Sequence, residues 1–81
     1  MPFSVYFGMS LEALPEATRQ EIHRTMEQIG EVVASIPATN PWWTSMHDSL
    51  MQIDVGRWRV VYRIDRVQRE ILVVEVTQIP R

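Results

Sequence analysis

The sequence contains no cysteine among its 81 residues. Neither a disulfide framework nor a thiolate metal site is open to it, so burial of apolar side chains must supply the stability that small domains often take from such staples. A chain of this kind suits a reducing compartment, and the cytoplasm is the expected location. Lysine is absent as well, because all eight basic residues are arginine. No stretch approaches the roughly 20 consecutive apolar residues of a membrane span. The opening MPFSVYFGMS has no basic segment leading into a long apolar run, so neither export nor membrane insertion is expected. No internal repeat, low-complexity tract or linker divides the chain, and its length leaves too little surface for a second core. A single domain over residues 1–81 is expected.

What is present is ordinary for a packed protein. An apolar content of 46% with 22% charged residues is too hydrophobic for disorder. The net charge of −2 is unevenly spread. Residues 1–50 carry Arg19 and Arg24 against six acids, whereas residues 51–81 carry six arginines against Asp54, Asp65, Glu70 and Glu75. The C-terminal part is therefore basic, which fits contact with an anionic partner; the plainer reading is a charged solvent face in a chain whose GC-rich genome favours arginine.

Phe3, Val5 and Phe7 alternate with Ser4, Tyr6 and Gly8, the period of a half-buried strand. Leu11 to Leu14 form one turn with Ser10 as its cap. From Pro15 the period becomes helical: Ile22, Met26, Ile29, Val33 and Ile36 follow at steps of 4, 3, 4 and 3. This predicts one amphipathic helix over about 15–35, opened by Pro15 and stopped at Pro37. Gly30 in its interior costs about 1 kcal/mol against alanine and predicts a close approach to the sheet. Ala38 to Ser49 is polar and aperiodic and is expected to be a loop or a short strand entry. It carries Trp42 and Trp43, one expected under the helix and the other at an edge or against a partner, since tryptophan is enriched at binding hot spots.

Leu50–Val55, Arg57–Asp65 and Glu70–Gln78 read as three strands, with Gly56 in the first turn and Arg66 to Arg69 in the second. Strict alternation through the last two places Trp58, Val60, Tyr62 and Ile64 with Leu72, Val74 and Val76 against the helix. Arg57, Arg59, Val61, Arg63, Ile71, Val73, Glu75 and Thr77 then share the open face. The predicted fold is α+β, one main amphipathic helix packed on a four-stranded, mostly antiparallel sheet in the order β-α-β-β-β.

The order of elements, the Leu14-Pro15 helix entry, the stretch VGRWRVVYRID (Val55 to Asp65) and the apolar strand ILVVEV (Ile71 to Val76) resemble the RelE/ParE toxin superfamily of type II toxin–antitoxin systems. The resemblance covers most of the chain, with its specific part in about 25 residues. It implies one of two activities: RelE-like members cut mRNA on the ribosome through the open sheet face, and ParE-like members inhibit DNA gyrase. It also implies a cognate antitoxin as partner.

A metal-free ribonuclease needs a base for the 2′-hydroxyl, a cation for the phosphorane and an acid for the leaving oxygen. Arg59 falls where the family's strand arginine lies, and its planar fork suits a phosphate. Asp54 is the candidate base, and Arg81 the candidate cation of the C-terminal segment. Arg57, Arg63 and Gln52 are candidate RNA or target contacts, and Trp42 and Trp43 candidate partner contacts. His47 with Asp48 reads most simply as exposed loop, and His23 as a boundary residue of the helix. No metal and no cofactor are expected.

Two departures from the family pattern stand out. Gln52 and Asp54 replace the basic residues or carboxylate of RelE-like nucleases on that strand, and Thr77 to Arg81 replace an Arg-rich tail with histidine or tyrosine. Only Met9 to Leu14 is available where family members carry a full first helix, which leaves apolar sheet surface for an antitoxin or a second copy of the chain. The leading expectation is a toxin acting on translating mRNA or on gyrase. The alternatives are a non-catalytic RelE-like protein-binding or regulatory module and a plain nucleic-acid binder.

Overall fold

The computed structural model describes residues 3–46 and 49–80 of the chain. The elements run β1 (Ser4–Phe7), α1 (Glu16–Ala34), α2 (Trp42–Ser45), β2 (Leu50–Val55), β3 (Trp58–Asp65) and β4 (Glu70–Gln78). The α+β class and the single long helix on a four-stranded sheet are as expected from the sequence. The strand order is β1-β4-β3-β2. β2 and β4 flank β3 in antiparallel fashion, while β1 adds to β4 in parallel at the far edge.

α1 starts after Pro15, whose φ of −55° is already that of a helix. Ile22, Met26, Gly30 and Val33 form its buried stripe. The helix ends where Ser35 donates both its backbone N–H and its hydroxyl to Val32 O, two residues before Pro37. Ahead of α1 there is one turn in place of a helix: the Ser10 hydroxyl accepts the Glu12 N–H at 3.2 Å, and Leu14 N–H reaches Leu11 O at 3.0 Å. Ile22 and Met26 are fully buried with Val60, Ile71 and Val73 of the sheet. Full burial of a side chain of this size contributes about 1.5–3 kcal/mol, so this cluster is the main support of a fold without cross-links. Burial also raises the Tyr62 phenol above its ordinary pKa of 10.0, because the buried ring disfavours the phenolate.

Two expectations are corrected. The segment around the tryptophans is helical, not extended. The Asn40 side chain accepts the Trp42 N–H at 2.9 Å, and the backbone bonds from Ser45 and Met46 to Pro41 and Trp42 close the four-residue α2. Neighbouring side chains on a helix point about 100° apart, so the two indoles diverge. Trp43 enters the core, stacked on Phe3 at 6.0 Å with its Nε1–H donating to Pro37 O at 3.1 Å. Trp42 lies edge-on against it at 4.9 Å and is half-buried.

The second correction concerns β4. The register pairs Val60 with Val76 and Val61 with Glu75, then shifts, so that Tyr62 faces Val73 and Ile64 faces Ile71. Val74 is the extra residue of this bulge. Beyond it the alternation of β4 inverts: Ile71 and Val73 are fully buried, whereas Leu72 and Val74 lie toward the open face. Strict period-2 alternation had placed both pairs on the wrong sides.

The close approach predicted at Gly30 is present. A Cβ there would sit 3.2 Å from Phe3 O and 3.7 Å from Ile71 Cδ1. Phe3 is pinned by its stacking on Trp43, so it cannot withdraw cheaply. Gly30→Ala is therefore expected to lower stability by about 1 kcal/mol, overpacking outweighing the gain in helix propensity. Urea denaturation checks this, and a variant more stable than the wild type would contradict it.

Candidate functional site

The helix covers one face of the sheet and leaves the other bare. Because paired residues of neighbouring strands point the same way, the register arranges this open face in rows. Ser4, Glu70 and Asp65 form an acidic row at one end. Next, Tyr6, Leu72, Arg63 and Leu50 cross all four strands. Glu75, Val61 and Gln52 make the third row, and Thr77, Arg59 and Asp54 the fourth. Tyr6 is 52% exposed and Leu50 63%, so the middle of the face is apolar and wet.

The chemistry collects at the fourth row. Asp54 and Arg59 sit directly opposite each other on β2 and β3, and Arg59 Nε donates to Asp54 Oδ1 at 3.4 Å. The candidate base and the candidate phosphate ligand are therefore partners of one another. The contact engages one of the five N–H donors of the guanidinium. Both side chains stay open to solvent, 40% exposed for Arg59 and 53% for Asp54. Arg63 lies four residues along the same strand and face, about 13 Å away at the strand rise of about 3.3 Å per residue. Gln52 shares the face one row from Asp54. The carboxylate of Glu75 stands between the levels of the two arginines.

The other predicted residues fall elsewhere. Arg57 belongs to the turn between β2 and β3, where its carbonyl accepts the Ile79 N–H at 2.8 Å and it lines a shallow hollow with Gly56, Gln78 and Pro80. Its expected place on the open face is thus corrected, since the turn carries it off the strand. Trp43 is committed to the core, and Trp42 lies beside it at α2, away from the arginine pair. Arg81, His47 and Asp48 lie outside the described residues. His23 is on α1, its ring 4.5 Å from that of Phe7.

Tyr6, Leu50 and Leu72 carried no role in the sequence reading, yet they form the central row with Arg63. The parity of Tyr6 and Leu50 was visible in β1 and β2; that of Leu72 was hidden by the bulge. Among the described residues, no helix is long and apolar enough to cross a membrane.

No family model matches the sequence, and no curated protein matches it. Among solved structures, the chain is similar to the crystal structure of the toxin–antitoxin complex RelBE2 from Mycobacterium tuberculosis. That likeness has 15% sequence identity and a TM-score of 0.42, and it covers 96% of this chain and 92% of that one.

An ion pair this exposed loses most of its Coulomb energy to solvent. A double-mutant cycle on Asp54→Ala and Arg59→Ala is expected to give a coupling below about 1 kcal/mol, with both single variants folded. A coupling of several kcal/mol would make the pair a structural element.

Proposed function

We propose that this chain is the toxin component of a type II toxin–antitoxin pair, with a RelE-like fold, acting in the cytoplasm by cutting mRNA on the ribosome. The observation that carries the reading is the Asp54–Arg59 pair on the uncovered sheet face, with Arg59 inside the stretch that resembles the RelE/ParE toxins and Asp54 just before it. Asp54 takes the 2′-hydroxyl proton as the 2′-oxygen bonds to phosphorus, Arg59 turns its remaining N–H donors to the phosphorane charge, and the 5′-oxygen leaves as its bond to phosphorus breaks, taking a proton from solvent water. Arg63 holds a neighbouring phosphate, and Gln52 offers an amide to the same strand. The apolar row of Tyr6, Leu72 and Leu50 is a surface for the cognate antitoxin, which silences the toxin by covering this face. Gyrase inhibition has less support, because one turn replaces the helix that would pair with α1.

A second reading is favoured by one specific observation. Asp54 and Arg59 neutralise each other at rest, and no histidine lies on the open face among the described residues. A RelE-like module that binds a protein partner through the apolar row, without catalysis, needs no more than this.

The test is induction of the chain in a bacterial host without any partner. Growth arrest is expected, with mRNA 5′ ends appearing within ribosome-protected codons, and Arg59→Ala should reduce cleavage at least about 100-fold, the usual cost of losing a transition-state charge donor. Normal growth with intact mRNA would remove the nuclease reading and leave the binding module.

A further inference from the structure

At the end of β3 the open face does not stop. It continues into a groove of about 760 Å³ between the β3–β4 turn and α2, lined in part by Thr44, Met46, Arg63, Arg66, Val67 and Gln68. The groove is open along one side, and its volume lies in the range of about 300–1,000 Å³ typical of ligand clefts. Arg63 belongs to both surfaces: it stands in the central row of the face and on the wall of the groove.

Arg66 is held in place before any ligand arrives. Its guanidinium lies over the Trp43 ring, 5.8 Å from the centroid, and Nη1 donates to Ala38 O at 3.3 Å. The turn is fixed as well, since Asp65 Oδ1 accepts the Gln68 N–H at 3.0 Å. A cation already immobilised loses little side-chain entropy on binding, and its other donors keep the planar fork that fits a phosphate. At the tip, Val67 is 89% exposed, an apolar side chain next to the groove on which a base can rest.

We propose that this groove is a second RNA subsite, taking a phosphate and its nucleotide from a single strand that leaves the open face past Arg63 and turns over the β3–β4 loop onto Arg66. The subsite rests on the mRNA-cutting reading and adds to it a determinant of strand length and direction. A single strand fits better than a duplex, because the path bends from a flat sheet into a groove beside it.

The experiment measures binding of labelled single-stranded RNAs of about four and about eight nucleotides, within the footprint range of small single-strand binders. Wild type, Val67→Glu and Arg66→Gln are compared at two salt concentrations, after thermal melts show that each variant is folded. Val67→Glu changes only an exposed tip, so it decides the matter if Arg66→Gln does not fold. Both variants should weaken the longer RNA about tenfold and leave the shorter one unchanged. Arg66→Gln should also reduce the slope of log K against log salt by about 0.7, one phosphate contact on a single strand. Variants that bind the longer RNA like the wild type would overturn the subsite alone. A wild type that binds neither RNA would overturn the subsite while the nuclease reading stands or falls with the induction experiment, and an acidic peptide displacing the longer RNA at equal charge would reassign the groove to a protein partner.

Discussion

The pairing of β3 with β4, including its bulge at Val74, is the interaction on which the rest of this structure depends. β4 joins near and distant parts of the chain: it pairs with β3 through a hairpin on one side and with β1 in parallel, across the whole helical segment, on the other. Its two halves have opposite alternation. The half before the bulge sends Ile71 and Val73 into the core, where they meet Val5 and Phe7 of β1 in register as well as α1. The half after it sends Val76 inward opposite Val60. Without the extra residue one of these sets would face water, and a chain without cysteine has no disulfide to make good the loss.

The same bulge shapes the open face. It turns Val74 to solvent beside Glu75 and sets Leu72 opposite Arg63, where an unbulged ladder would set Val73. Bulges are common beside functional sites because they re-aim side chains in this way. The result is a face with acidic residues at one end, an apolar row across its width and a carboxylate–guanidinium pair at the other end. Its cations are all arginine, so each offers a planar fork that matches a phosphate.

Much of this was legible in the residues. The 3-4 spacing from Ile22 to Ile36 located α1, Pro15 and Pro37 located its ends, and the interior Gly30 announced the contact with Phe3 that the packing shows. The limits of β2 and β4 follow from alternation, whereas the meeting of Asp54 with Arg59 depends on Arg57 joining Gly56 in the turn, which a strand extended through Arg57 hides. The bulge did not follow, because ILVVEV is apolar on both parities and nothing in it marks which valine is supernumerary. The helical turn at Trp42 and Trp43 is too short to show a period, although Asn40-Pro41 ahead of it is a usable start signal. The groove was invisible for a different reason: Trp43, Ala38 and Arg66 are brought together only by tertiary packing, across 28 residues in the case of the Arg66–Ala38 bond.

The bulge sets which side chains face the helix and which face outward. Cross-strand nuclear Overhauser effects in the NMR spectrum of the free protein test it most directly. Contacts of Tyr62 with Val73 and of Ile64 with Ile71 are expected, together with Val60 to Val76 on the other side of the bulge. Continuous contacts pairing Tyr62 with Val74 and Ile64 with Leu72 would mean an unbulged ladder, and would contradict both the core and the open face described for this chain.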